Sequence, residues 1–138
     1  MDNRYPEFEE TTFMTNQNAT VLEALSLAVA AHVPVLLWGP PGAGKSSAVE
    51  DMCRSIDLTF EVVIASIREP SDFSGLPVIT ENGVEFAPPR WAKTLAEAGN
   101  GVLFLDEIST APPAVQAALL RVVLERVVGD LALPDELA

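Results

Sequence analysis

The feature that most restricts the fold is a glycine-rich turn between an apolar run and a helical pattern. Val33–Trp38 is a short apolar run, and Gly39-Pro-Pro-Gly-Ala-Gly-Lys-Ser46 follows it directly. From Gly44 to about residue 56, apolar side chains recur at helical spacing. An apolar run closed by a glycine turn is typical of a parallel strand that is buried on both faces. Strand, turn and helix in this order predict an α/β fold with a parallel sheet.

The turn matches the pattern G-x-x-x-x-G-K-[ST], whose spacing is suited to nucleotide phosphates. We predict positive φ angles at its three glycines, which let the backbone approach a phosphate closely. The N–H groups of residues 42–47 would then form an anion nest at the start of the helix. Lys45 would reach the β and γ phosphates, and the Ser46 hydroxyl would bind Mg²⁺. A chance glycine turn is the less favoured alternative. The predicted Mg-ATP contacts are Gly39, Pro40, Pro41, Gly42, Ala43, Gly44, Lys45, Ser46 and Ser47.

A second motif is an acid pair at the end of another apolar run. Gly101–Leu105 is predicted to be a buried strand, and Asp106-Glu107 closes it. The carboxyl ends of parallel strands line the ligand crevice in open α/β sheets. We therefore predict that Asp106 holds Mg²⁺ together with Ser46, and that Glu107 orients and polarises an attacking water. Two acids that merely begin a loop are the alternative. The predicted reaction is ATP hydrolysis, with Glu107 and Lys45 as catalytic residues.

The rest of the chain alternates between helical and strand patterns. Residues 1–17 are polar and acidic and are predicted to be a loose lead-in. Thr110 is a candidate cap for the helix that contains Pro112 and Pro113 in its first turn. The other predicted elements are a helix over 19–31, a strand over 59–64, a loop over 66–77, a hairpin over 78–86 with an Asn82-Gly83 turn, a helix over 91–98, and the first arm and turn of another hairpin over 126–133.

Composition excludes several classes of protein. The 138 residues carry a net charge of −12 with eight basic side chains and no basic run, which disfavours a nucleic-acid face. The single cysteine, Cys53, excludes an intramolecular disulfide and fits a reducing compartment. The N-terminus has no signal-peptide pattern, and the longest apolar stretch is interrupted by polar residues and proline. We predict a cytoplasmic protein with no membrane segment.

The two motifs together resemble those of a known family. Gly39–Ser46, followed by Leu103-Phe-Leu-Asp-Glu-Ile-Ser109, is similar to the AAA+ ATPases. The stretches 105–121 and 124–128 resemble the MoxR and dynein-related branch, as does the hairpin near 78–86. The resemblance covers about residues 19–133. It implies a P-loop NTPase three-layer sandwich with a parallel sheet, and a ring, often hexameric, that binds ATP between subunits. Such rings remodel or mature a protein client.

The resemblance also indicates what the chain does not contain. In the family, a strand with a polar sensor residue lies between the P-loop strand and the strand with the acid pair. A further arginine acts as a finger, and a small helical lid completes the core. Nothing after Leu133 corresponds to these parts, and Arg121 and Arg126 lie too early to be the finger. Residues 18–138 are therefore expected to be the N-terminal portion of an AAA+ core, truncated before the sensor strand and without the lid. We expect weak or no ATP hydrolysis by this piece alone.

Other functions remain open at this stage. A small-molecule kinase would need an arginine-rich lid and no water-activating acid, and Glu107 disfavours it. A nucleic-acid motor or loader would need a basic surface. A scaffold would use ATP for assembly without turnover, and Glu107→Gln would not change it. A further hypothesis places client contacts in residues 68–86, with Phe73 and Leu76 as the contacting side chains.

Overall fold

The computed structural model describes the backbone of residues 8–138 and the side chains of residues 19–138. Two short 3₁₀ turns, Ala65–Ile67 and Ile108–Thr110, follow the first and fourth strands. The helices are α1 Phe8–Ala30, α2 Lys45–Ser55, α3 Ser71–Ser74, α4 Arg90–Ala98 and α5 Pro113–Glu125. The strands are β1 Phe60–Ile64, β2 Leu76–Thr80, β3 Gly83–Ala87, β4 Val102–Asp106, β5 Val127–Val128 and β6 Leu131–Ala132.

The centre of the fold is a parallel pair of strands with a core on each face. β1 and β4 pair in register from Phe60 opposite Val102 to Ile64 opposite Asp106. Because successive side chains of a strand point to opposite faces, Phe104 joins the core under α1 and α2, and Leu105 joins the core under α4 and α5. Helices therefore cover both faces of a parallel sheet. The predicted three-layer α/β architecture is confirmed.

The second edge of β4 is bonded to the last residues of the chain. The Ala138 N–H donates to Gly101 O at 3.0 Å, and the Leu103 N–H donates to Ala138 O at 2.9 Å. Leu137 and Gly101 form a parallel bridge. Glycine is needed at position 101 because a Cβ there would lie 2.6 Å from Thr59 O. The chain thus returns to the sheet beside β4, in the parallel direction.

The prediction of a strand at Val33–Trp38 is wrong. This segment contains no strand, and none of the described strands pairs with it. Leu36 is 74% exposed and Trp38 is 88% exposed. An apolar run becomes a buried strand only when a neighbouring strand accepts its backbone hydrogen bonds. Here the side that faces β4 is an open groove instead.

The first helix is longer than the pattern predicts. It begins at Phe8 rather than near residue 19, because residues 8–18 contain no glycine or proline that would stop it. Residues 8–17 of the predicted lead-in are therefore helical, and residues 1–7 lie outside the described part. The helix ends in a Schellman motif in which the His32 N–H donates to Val29 O and the Val33 N–H donates to Ala28 O, both at 3.0 Å. His32 has a positive φ of 54°.

The hairpin predicted at 78–86 is confirmed and extends over β2 and β3, but its turn differs. Thr80 pairs with Gly83, so Glu81 and Asn82 form the loop. Gly83 has a φ of 121°, whereas Asn82 is not among the described residues with positive φ. The Thr80 hydroxyl accepts from the Asn82 N–H at 3.3 Å and donates to Gly83 O at 3.1 Å. This side chain therefore closes the turn.

Two further predictions need correction. Pro112 precedes α5 and Pro113 begins it, without a side-chain cap, because Thr110 belongs to the preceding 3₁₀ turn and donates to Glu107 O at 3.1 Å. Phe73 is only 1% exposed and packs against Trp91 with ring centroids 6.2 Å apart. Phe73 is therefore a core residue and not a client contact.

None of the described helices is both long and apolar enough to span a membrane.

Candidate nucleotide site

The glycine turn has the backbone geometry of a phosphate cradle at two of its three glycines. Gly42 and Gly44 have φ angles of 75° and 74°, a conformation that favours glycine. Gly39 is not among the described glycines with positive φ, so that part of the prediction is wrong. A Cβ built at Gly42 or Gly44 would meet no atom within 4 Å. The space beside the turn is therefore open to a ligand.

The turn leads directly into the N-terminus of α2. Gly44 is the N-cap and makes no side-chain capping bond. The Ala48 N–H donates to Gly44 O at 3.0 Å, so the N–H groups of residues 45–47 precede the first intrahelical bond. Buried Val49 and Cys53 hold the helix against the sheet. These N–H groups, with the positive end of the helix dipole, suit an anion.

The Lys45 side chain folds back over the turn. Its ammonium Nζ donates to Gly39 O at 3.1 Å and to Pro40 O at 3.0 Å. Both acceptors are neutral carbonyls, and an ionised phosphate oxygen is a stronger acceptor for an ammonium. Lys45 and Ser46 are both half-buried. The cation is therefore held at the cradle by bonds that a phosphate can replace.

The acid pair lies where β4 ends. Asp106 is the last residue of the strand, and Glu107 follows with a positive φ of 54°. Asp106 Oδ1 accepts the Glu107 N–H at 2.9 Å, while Glu107 O accepts the Thr110 N–H at 3.2 Å. A left-handed conformation at a non-glycine residue costs free energy and persists only where its surroundings hold it. These bonds hold the backbone of the exposed Glu107 in this conformation.

Ser66 is a site residue that the sequence patterns did not indicate. Its hydroxyl donates to Glu107 Oε2. The β1–β4 register places Ile64 opposite Asp106, so the residues just beyond the two strand ends are neighbours. The contact between Ser66 and Glu107 depends on the pairing of β1 with β4. The pattern of one strand does not indicate which other strand lies beside it, so the sequence could not predict this contact. Ser66 therefore fixes the orientation of the Glu107 carboxylate.

A single groove of about 970 Å³ brings the two motifs together. The phosphate cradle lines it with Gly39 and residues 41–47, and the acid pair lines it with Asp106 and Glu107. Of the predicted contacts, Pro40 is not among the lining residues. Apolar side chains of α1, residues 33–38 and β4 form the rest of the wall. Motifs separated by some sixty residues thus border the same space, as predicted.

The side chains of the groove suit Mg²⁺, which also binds phosphate and water, better than they suit a metal ion that is bound by protein side chains alone. The described residues contain no cluster of three or more His, Cys, Asp or Glu side chains that could hold a metal ion. Ser46 and Asp106 each offer an oxygen to the groove. Mg²⁺ is usually bound by one or two protein ligands, with phosphate oxygens and water completing its shell. The groove therefore fits a magnesium nucleotide.

The fold and this groove define a class of protein. A glycine cradle at a helix N-terminus, with an acid pair at the end of a parallel strand on the same groove, is the arrangement of a P-loop NTPase. A family model described as the MoxR domain in the MoxR-vWA-beta-propeller ternary systems matches residues 7–130. The chain therefore belongs to the MoxR family of AAA+ ATPases.

Two curated proteins and one solved structure are similar to this chain. The chaperone MoxR1 of Mycobacterium tuberculosis is 32% identical over 86% of this chain and 30% of its own length. The probable regulatory protein WtsA of a pathogenicity locus of Pantoea stewartii is 29% identical over 94% of this chain and 44% of its own length. A crystal structure of a candidate ATPase from Cytophaga hutchinsonii has a TM-score of 0.54, with 24% identity over 86% of this chain and 35% of that chain. The chain thus spans less than half the length of each.

Proposed function

We propose that this chain binds Mg-ATP in the groove and hydrolyses it as part of a larger AAA+ ATPase that remodels or matures a protein client. The observation that carries the proposal is the meeting of the phosphate cradle and the acid pair on one groove. The acid pair alone does not separate a functional site from two acids that merely begin a loop. Together the two motifs supply anion binding, two oxygen ligands for a metal and a carboxylate for water.

The cradle would bind the phosphates. The N–H groups at the start of α2 would donate to the phosphate oxygens, and Lys45 Nζ would leave its two carbonyl acceptors for the β and γ phosphates. The Ser46 hydroxyl and the Asp106 carboxylate would hold Mg²⁺. When bound, this ion neutralises charge that develops on the phosphates during transfer. The positive charge of Lys45 would serve the same end.

Glu107 would act on the attacking water. Its exposed carboxylate, oriented by Ser66, would accept a proton from the water while the water oxygen bonds to the γ phosphorus and the bond to the bridging oxygen breaks. This role supports hydrolysis over phosphoryl transfer to a metabolite. It also supports an enzyme over a scaffold that only binds ATP, since binding alone needs no such carboxylate.

The assembly is proposed on the family and on charge. MoxR membership supports a ring of subunits, often hexameric, and the description of the matched family model supports partners with vWA and β-propeller domains. A net charge of −12 favours a protein client over nucleic acid. A cytoplasmic location stays a prediction, supported by the single cysteine.

Nucleotide binding tests the proposal first. We expect wild-type protein to bind fluorescent ATP in the presence of Mg²⁺, and Lys45→Ala to weaken binding by about ten-fold or more because a charge-assisted bond to phosphate is lost. Lys93→Ala is the matched control, since it removes a lysine from the exposed side of α4. Absence of Mg-ATP binding by the wild-type chain would overturn the proposal.

Turnover separates hydrolysis from binding alone. We expect Glu107→Gln to retain ATP affinity and to lower the turnover of the assembled ATPase by about a hundred-fold or more. The variant should also keep ATP bound, which favours the assembled state. Size-exclusion chromatography with ATP measures that state. ATP-dependent assembly without measurable turnover in the wild type, and unchanged by Glu107→Gln, would favour the scaffold alternative.

A further inference from the structure

Arg126 has an unusual backbone conformation at the end of α5. Its N–H donates to Val122 O at 3.0 Å, and its φ is 54°. This is the left-handed position that ends many helices, where glycine fits without strain. An arginine in this position suggests that its side chain contributes something that glycine would not.

The guanidinium of Arg126 joins two other parts of the chain. Nη2 donates to His32 O at 2.8 Å. Nη1 donates to Pro134 O at 3.2 Å and also to Asp135 O. All three acceptors are backbone carbonyls, and the half-buried side chain lines the groove. A planar guanidinium can satisfy several acceptors at once in fixed directions, which an ammonium cannot.

The three acceptor carbonyls belong to segments that lead to the two motifs of the site. His32 directly precedes residues 33–38, which lead into the glycine cradle and pair with no described strand. Pro134 and Asp135 precede Leu137 and Ala138, which are bonded to β4. β4 in turn carries the acid pair at its end. The guanidinium therefore connects the segment that holds the cradle with the strand that holds Glu107.

We infer that Arg126 is a positioning residue for the nucleotide site. By tying His32 to residues 134–135, it sets where the cradle lies relative to the acid pair. Residues 33–38 pair with none of the described strands, and Arg126 binds the residue that directly precedes them. The inference rests on the proposed function, because it assigns Arg126 a role in binding the same nucleotide.

The test compares two substitutions of Arg126 with a control. Arg126→Gly removes the guanidinium and also relieves the positive φ, so a loss of function cannot be attributed to backbone strain. Arg126→Lys keeps the charge but cannot bond all three carbonyls together. Arg121→Ala is the control, since Arg121 pairs with Glu125 on the exposed face of α5.

We expect Arg126→Gly to raise the Kd of both Mg-ATP and Mg-ADP by about ten-fold, because the cradle binds phosphates common to both. Arg126→Lys should fall between it and wild type, and Arg121→Ala should match wild type. Guanidinium ion at millimolar concentration should restore affinity to Arg126→Gly and leave wild type unchanged. In nucleotide-free protein, tryptophan fluorescence, which comes from Trp38 and Trp91, should depolarise faster in Arg126→Gly than in wild type, because Trp38 lies on the segment that follows His32.

The outcomes separate this inference from the proposed function. Wild-type protein that binds no nucleotide overturns both. If the wild type binds nucleotide, and Arg126→Gly and Arg126→Lys both bind it with the wild-type Kd, only the role of Arg126 is overturned. Weaker binding that guanidinium does not restore, with unchanged tryptophan depolarisation, also contradicts it. If Arg126→Gly does not fold, Arg126→Lys decides by the same Kd measurement.

Discussion

At the scale of single residues, the described non-glycine positions with positive φ fall into two groups. His32, Asp57 and Arg126 each follow a helix and accept the strain to end it. Glu107 follows a strand instead, and its φ of 54° has no helix to close. Strain of this kind is typical of functional positions, where a side chain must point in one direction. The conformation of Glu107 therefore supports its proposed role.

The bond from Ser66 to Glu107 leads to a prediction on rate. We expect Ser66→Ala to lower the kcat of the assembled ATPase by about three- to ten-fold, the cost of one lost hydrogen bond, with little change in the Kd of Mg-ATP. Ser66→Thr keeps a hydroxyl and should recover part of the rate. Ser74→Ala is the control, because the Ser74 hydroxyl donates to the O of Pro70, the N-cap of α3, at 3.1 Å. A larger effect on Kd than on kcat would contradict this role.

At the scale of elements, the β2–β3 hairpin is fixed at its base by the turn between β5 and β6. Asp130 Oδ2 accepts the Phe86 N–H at 2.7 Å, and the Asp130 N–H donates to Phe86 O at 3.1 Å. Gly129 lies so close that a Cβ would be 2.4 Å from Phe86 O. The hairpin therefore has one fixed end, while the side chain of Ile79 near its tip is 87% exposed.

The close approach of Gly129 to Phe86 predicts that two glycines with positive φ differ in how much a substitution by alanine lowers the free energy of unfolding. Gly129→Ala introduces both strain and a backbone clash, whereas Gly99→Ala introduces strain alone, because a Cβ at Gly99 meets no atom within 4 Å. We expect Gly99→Ala to lower the free energy of unfolding by about 1 kcal/mol. Gly129→Ala should cost about 2 kcal/mol more. Urea unfolding measures both, and equal losses would show that the hairpin base yields without cost.

At the scale of the whole molecule, two cores share one narrow sheet. The core under α1 and α2 includes Val49 and Cys53, which are 2% and 0% exposed. Burial raises the pKa of the Cys53 thiol above its ordinary value of 9.0, with a smaller opposite effect from a backbone hydrogen bond. The thiol therefore reports on the integrity of this core, since a reagent reaches it only when the core opens.

Thiol modification should follow global opening. We expect native Cys53 to react with a thiol reagent at least about a hundred-fold more slowly than in urea. Because the folded pKa is raised, the contribution of Cys53 to stability is present below pH 9.0 and is lost as the pH rises through the folded value. Cys53→Ala should remove that pH dependence. Equal reaction rates in native and unfolded protein would show that this core does not form.

The sequence by itself determined the local parts of this protein. Spacing and backbone preference act over a few residues. They account for the glycine turn, the acid pair at the end of β4, the helix α5 and the β2–β3 hairpin. The three-layer architecture followed from the order of these elements. Family and fold were therefore predictable, as was the meeting of two motifs at one groove.

Only the tertiary structure decided what depends on lateral neighbours. The bond of Ser66 to Glu107 needs the β1–β4 register. The exposure of residues 33–38 follows from the lack of a partner strand among the described residues, although their apolar pattern favours a buried strand. The bond of Arg126 to His32 joins residues far apart in the chain. Such contacts arise from long-range packing, and no local pattern specifies which elements will lie side by side.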